Sequence, residues 1–77
     1  MQDFMLVFEL TADGDELEIH ADEAGLAVLQ KHLAHLVRGS SHVHLKTPSW
    51  AGDELTEVAQ AVDHRVLNHV KIYCGHS

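Results

Sequence analysis

Leu6-Val7-Phe8-Glu9-Leu10-Thr11-Ala12-Asp13-Gly14-Asp15-Glu16-Leu17-Glu18-Ile19-His20-Ala21 reads as two alternating runs joined by an Asp-Gly pair. Phe4, Leu6, Phe8 and Leu10 recur with the two-residue period of a strand, whose successive side chains point to opposite faces. Asp13-Gly14 is a strong hairpin signal, because a two-residue turn needs residues that tolerate positive φ. With those two as the loop, Leu10 comes opposite Leu17, Phe8 opposite Ile19 and Leu6 opposite Ala21. Both strands then offer their apolar side chains to one face, and Val7, Glu9, Glu16, Glu18 and His20 occupy the other.

A helix follows. Asp22 is placed to cap it, Glu23 lies in its first turn, Gly25 weakens that turn, and Gly39 supplies a left-handed stop after Arg38. Leu26, Leu29, Leu33, Leu36 and Val37 fall in a stripe about 100° wide, the face expected to lie on the sheet, while Lys31, His35 and Arg38 point away. His42-Val43-His44-Leu45-Lys46 alternates again as a third strand. Asn68 to Cys74 closes the fold as a fourth, with Val70, Ile72 and Cys74 inward and His69, Lys71 and Tyr73 outward. Pro48 and Gly52 put Trp50 on a loop; over Asp53 to Val66 the spacing of Leu55, Val58, Val62 and Val66 fits a helical face, but Thr56 and the three valines disfavour a helix, and irregular or partly extended chain is expected. The expected architecture is α+β in ββαββ order: a small, mostly antiparallel four-stranded sheet with one amphipathic helix on one face.

Such a chain is a single domain over residues 1–77, with a thin core expected to hold Leu6, Phe8, Leu10, Ile19, Leu26, Leu29, Leu33, Leu36, Val43, Leu45, Val70 and Ile72. Apolar residues are 45% of the chain but aromatics only 5%, so aliphatic side chains must build that core. A core this small predicts marginal stability or help from self-association as a homodimer. Twelve acidic against five basic residues give a net charge of -7, which argues against nucleic acid and anionic membranes and suits a basic protein partner. The single cysteine cannot close an internal disulfide, Asp3 stands where an export signal needs a basic residue, and no apolar run is long enough to span a bilayer; a cytoplasmic location is expected.

Eight histidines are the compositional oddity. The strand registers place His20, His42, His44 and His69 on the sheet face opposite the helix, with Glu9 and Glu18 beside them. Three imidazoles converging there are the ligand set of an open zinc site, which makes these four the metal candidates, with the carboxylates as their supports. His-x-His alone is a weak signal, and the readier reading is ordinary surface histidines with no metal or other cofactor. His32 and His35 on the helix flank are weaker still, and His64 and His76 fall in segments without a clear pattern. Catalysis finds less support. Cys74 is expected to point into the core, where desolvation keeps a thiol protonated; Ser40 and Ser41 lack the strand-turn-helix setting of a nucleophile elbow; no glycine-rich phosphate cradle exists. A non-enzymatic protein is the reading the residues favour. Trp50 either folds over the edge of the core, the readier role, or anchors a partner.

Two stretches, His42-Val43-His44-Leu45-Lys46-Thr47-Pro48-Ser49-Trp50-Ala51-Gly52 and Leu67-Asn68-His69-Val70-Lys71-Ile72-Tyr73, resemble the signature segments of the immunity protein 32 family. The resemblance runs from about Glu16 onward, through Glu18-Ile19-His20 and the leucine-rich helix. It departs from the family pattern at Ala51, where a second glycine is expected, and matches least over Asp53 to Val66. It implies a cytoplasmic protein of a bacterial polymorphic toxin system, which binds and blocks a cognate toxin; it assigns no catalytic residues. The open sheet face and its flanks then become the candidate contact surface, with His44, Tyr73, Trp50, Lys71 and Lys46 as the partner-binding residues. A small histidine-based metal-binding domain, hydrolytic or regulatory, is the alternative from a different class.

Overall fold

In the computed structural model, which describes residues 2–75, the hairpin forms in the register read from the sequence. Strands β1 (Leu6–Leu10) and β2 (Leu17–Ala21) are antiparallel, with Leu10 opposite Leu17, Phe8 opposite Ile19 and Leu6 opposite Ala21. The Gly14 amide donates to the Thr11 carbonyl at 2.8 Å, and Gly14 takes the positive φ, 76°, that closes the turn.

Helix α1 (Glu23–Val37) starts and stops where its capping residues put it. The Asp22 carboxylate accepts from the Gly25 amide at 2.7 Å and from the Met5 amide at 3.1 Å, so one side chain caps the helix and ties it to the lead-in of β1. At the other end Gly39 adopts φ 116° and its amide donates to Leu36 O. Gly25 does more than weaken the first turn: a Cβ there would overlap the Met5 carbonyl, so the close approach of helix to strand depends on it. That approach sets the roll of the helix. Its contact line runs through Gly25, Val28, Leu29 and Leu36, and the expected stripe is corrected at Leu26, Leu33 and Val37, which are exposed.

Strand β3 (His42–Lys46) is followed by a 3-10 turn at Pro48–Trp50, then by the short strand β4 (Arg65–Val66) and by β5 (His69–Tyr73). The single four-stranded sheet expected from the pattern is instead two antiparallel sheets, one ordered β2-β1-β4 and one of β3 and β5. The cause is the segment expected to be irregular, which does lack a helix. Leu55 N donates to Lys46 O at 3.1 Å, and Thr56 N donates to Leu6 O at 2.8 Å while its hydroxyl accepts from Leu6 N at 3.0 Å. These two residues wedge between the strands, so β1 spends its second edge on Thr56 and β4 and never pairs with β3.

Leu6, Phe8, Leu45 and Leu55 form the buried centre, with Val28, Leu29, Val70 and Ile72 packed against it. Leu55 was not expected there, and Ile19, which was, is half exposed on the edge strand β2. Cys74 is also corrected: β5 ends at Tyr73, the Cys74 amide donates to Ser41 O at 3.0 Å, and the thiol is exposed rather than in the core. Among the described residues, no helix is long and apolar enough to cross a membrane.

Candidate functional site

The β3–β5 ladder sets His42 opposite Tyr73, His44 opposite Lys71 and Lys46 opposite His69, all on one face because the side-chain period of a strand is two. Strand twist brings the diagonal pair His44 and His69 together as well. The rings form one row. His42 stacks on Tyr73 with centroids 5.1 Å apart, His42 meets His44 edge-on at 4.8 Å, and His44 stacks on His69 at 5.2 Å. Trp50 completes the row at 5.7 Å from His69, and the Lys71 ammonium lies 5.3 Å from the Tyr73 centroid.

Trp50 reaches the row because the loop that carries it is bound tightly to β5. Buried Thr47 donates its hydroxyl to Asn68 Oδ1 at 2.7 Å and its amide to Asn68 O at 3.0 Å, then accepts from the amides of Trp50 and Gly52, each at 2.9 Å. The expectation that Trp50 folds over the core is corrected: it is 53% exposed, and Tyr73 at the other end is 61% exposed. Ala51 turns the chain in the left-handed region at φ 62°, at the position where a glycine was expected.

The three ring nitrogens of a metal site do not converge here. The rings of His44 and His69 lie face to face, and His44 Nδ1 is hydrogen-bonded to His69 Nε2 at 2.9 Å. His42 Nδ1 accepts from the Ser41 hydroxyl at 3.0 Å. His20, the fourth candidate, is on β2 in the other sheet, where it contacts Glu18 at 2.8 Å. Among the described residues, no group of three or more His, Cys, Asp or Glu side chains is arranged to hold a metal ion; His76 lies outside them. Desolvation by its neighbours, with the positive charge of His42, Lys71, His69 and Lys46, holds His44 below the ordinary histidine range. The row is a flat platform of rings edged by two lysines, suited to stacking against aromatic or guanidinium groups.

The face of β1 that was expected to be open is closed. Val7 and Glu9 are fully buried under the segment that leads to β4. The Gln60 amide donates to Glu9 Oε2 at 2.7 Å and His64 Nδ1 donates to Glu9 Oε1 at 2.9 Å. Burial raises the Glu9 pKa, but the Gln60 amide and the His64 ring, helped by His20, outweigh it and hold the carboxyl below its usual value. Glu9 and Glu18 thus support His64 and His20 rather than the row on β3 and β5. Reading by pattern missed this pair; its one visible sign is Val7, an apolar side chain on a face taken to be solvated.

A family model described as Immunity protein 32 matches residues 16–70 of the 77-residue chain. The chain belongs to the immunity protein 32 family. No curated protein and no solved structure matches it. The span that makes it an immunity protein 32 member contains His42, His44, Trp50 and His69 of the ring row, and stops short of Lys71 and Tyr73. Residues 42–52 and 67–73, distant in sequence, contribute the two strands of one sheet and are joined by the Thr47–Asn68 bonds.

Proposed function

We propose that this member of the immunity protein 32 family is a non-enzymatic immunity protein, which binds and neutralises a cognate bacterial toxin in the cytoplasm of the producing cell through the ring row of β3 and β5. The observation that carries the reading is an unbroken run of rings, Tyr73, His42, His44, His69 and Trp50, of which Tyr73, His44 and Trp50 are exposed and His42 and His69 half-buried between them. Aromatic anchors held rigid at the centre of a patch are where binding energy concentrates. Lys46 and Lys71 edge the row, and Glu54 and Glu57, which bind the amides of Lys46 and Ser49, add acid at its rim. The net charge of -7 steers a basic toxin toward the molecule at long range, and the rings make the contact at short range.

Co-expression with the toxin encoded beside it tests the role, scored as growth, and calorimetry on the purified pair tests the face. The wild-type chain should restore growth. His44→Ala with Tyr73→Ala should weaken binding at least about thirtyfold while the melting temperature moves by no more than about 2 °C. Failure of the wild type to protect overturns the role. Unchanged binding by the double variant overturns the face and leaves the role standing.

A further inference from the structure

The edge of the first sheet carries a second interaction surface, on β2 rather than on β3 and β5. β2 is the outer strand in the order β2-β1-β4, and among the described residues nothing hydrogen-bonds to its outer side. Asp22 N donates to Met5 O and Thr11 N to Glu16 O, so even-numbered β2 residues turn their backbone groups toward β1. Leu17, Ile19 and Ala21 therefore turn theirs outward, which leaves a row of unpaired donors and acceptors with no proline, lysine or bulge to blunt it.

The same edge is apolar on the helix side. Leu17 is 51% and Ile19 48% exposed, and the helix adds Leu26 at 54%, Leu33 at 40% and Val37 at 88%. Those three helix residues lie in one strip, about 80 to 120° around the axis from buried Gly25. The chirality of the chain places the strip. Phe8 points its side chain at the core under the helix and its carbonyl at Leu67 on the β4 side, so β2 lies on the other side of β1. A right-handed helix that leaves the end of β2 and runs back over β1 turns this strip toward β2.

We propose that a second copy of this chain occupies this edge, pairing β2 with β2 antiparallel about a two-fold axis at Ile19. Within the five residues of β2 the alternation of Glu18 and His20 is complementary to itself in one register, and that self-complementarity points to a second copy as the occupant. With Ile19 opposite its own copy, Leu17 meets Ala21 of the second copy through outward-facing backbone groups, and Glu18 meets His20 of the second copy in a close, non-hydrogen-bonded pair. A slip of two residues either way sets Glu18 against Glu18 or His20 against His20. The result is a continuous sheet through both copies, isologous and closed, with the Leu26–Leu33–Val37 strips meeting over it. Glu16 comes opposite Asp22, each copy carries a charge of -7, and the pairing accordingly strengthens with added salt. The ring rows of β3 and β5 stay free on both copies.

Sedimentation equilibrium and disulfide trapping of the full chain test this, in a Cys74→Ser background because Cys74 is exposed. A dimer is expected at about 0.1 mM. Ile19→Cys should cross-link the two copies on oxidation, and Ile19→Lys should give a monomer whose circular dichroism matches the parent. His20→Glu should weaken the dimer about tenfold, and adding Glu18→His to it should restore it, because the exchange recreates the cross-copy pairs. A monomer at about 0.1 mM overturns the proposal. So does a dimer that ignores Ile19→Lys, or one in which position 19 does not cross-link.

Discussion

Two faces of this protein carry histidines on neighbouring strands, and they have opposite fates. On β1 and β2, His20 and His64 meet Glu18 and Glu9, and the chain from Leu55 to His64 closes over Glu9 and Val7 until both are fully buried. On β3 and β5, His42, His44 and His69 meet one another, Tyr73, Trp50 and two lysines, with no carboxylate among the ring contacts and no cover. The difference is one of partners. A histidine against a buried carboxylate joins a charge-assisted contact that fastens a loop to a sheet, which is a structural task. Histidines stacked on one another repel when protonated, and here they build a flat surface of rings that no carboxylate fastens down. Residue type alone does not separate the two.

Substitutions sharpen the contrast, and the largest effects belong to the closed face. Leu55→Ala, at the fully buried residue that anchors the covering segment, should cost about 2 to 5 kcal/mol in urea denaturation. Leu33→Ala, at a residue left 40% exposed by the roll of the helix, should cost less than about 1.5 kcal/mol. Equal losses at the two sites would mean that the helix packs on its predicted stripe after all. Glu9→Gln keeps the shape but weakens the bonds to Gln60 and His64, at about 2 kcal/mol. It should also raise hydrogen exchange at the Gln60 amide well before global unfolding; exchange that stays as slow as in the parent would show that the cover does not depend on the carboxylate.

Acid separates the faces by window. The folded-state pKa of Glu9 lies below its ordinary 4.5, so its contribution to stability is present above that value and is lost as pH falls through the lower, folded one. His44 is also depressed, below an ordinary 6.5; the unfolded chain then binds the proton first, and stability declines as pH falls below 6.5 toward the folded value. Thermal melts against pH should show both declines, with Glu9→Gln shrinking the lower, which Asp13 and Asp22 share, and His44→Ala shrinking the upper. Declines that are unchanged in both variants would mean neither face controls acid stability. The smallest effect belongs to the turn that presents Trp50: Ala51→Gly relieves a left-handed alanine and should stabilise by about 0.5 to 1 kcal/mol, since the strain relieved exceeds the entropy that glycine adds to the unfolded chain. A loss of stability there would mean that φ 62° carries no strain.

Local rules determined a good deal of this molecule from sequence alone. The period of two and the Asp13-Gly14 pair set the β1–β2 register; Asp22 and Gly39 set the ends of α1; the alternation of residues 42–46 and 69–73 put the ring row on one side of its strands. Each of these depends on neighbours a few residues apart, or on a turn that fixes which residues face each other, so pattern reaches them. What only the tertiary structure decided depends on contacts between distant segments. The approach of Gly25 to Met5 rolled the helix and left Leu26, Leu33 and Val37 outside. Leu55 and Thr56, in a stretch whose helical spacing and β-branched residues point different ways, split one expected sheet into two and thereby parted His20, Glu9 and Glu18 from the histidines of β3 and β5. An irregular segment is held by backbone hydrogen bonds and one buried leucine, interactions that leave no repeat in the sequence, so its path could be known only once the surfaces it joins were in place.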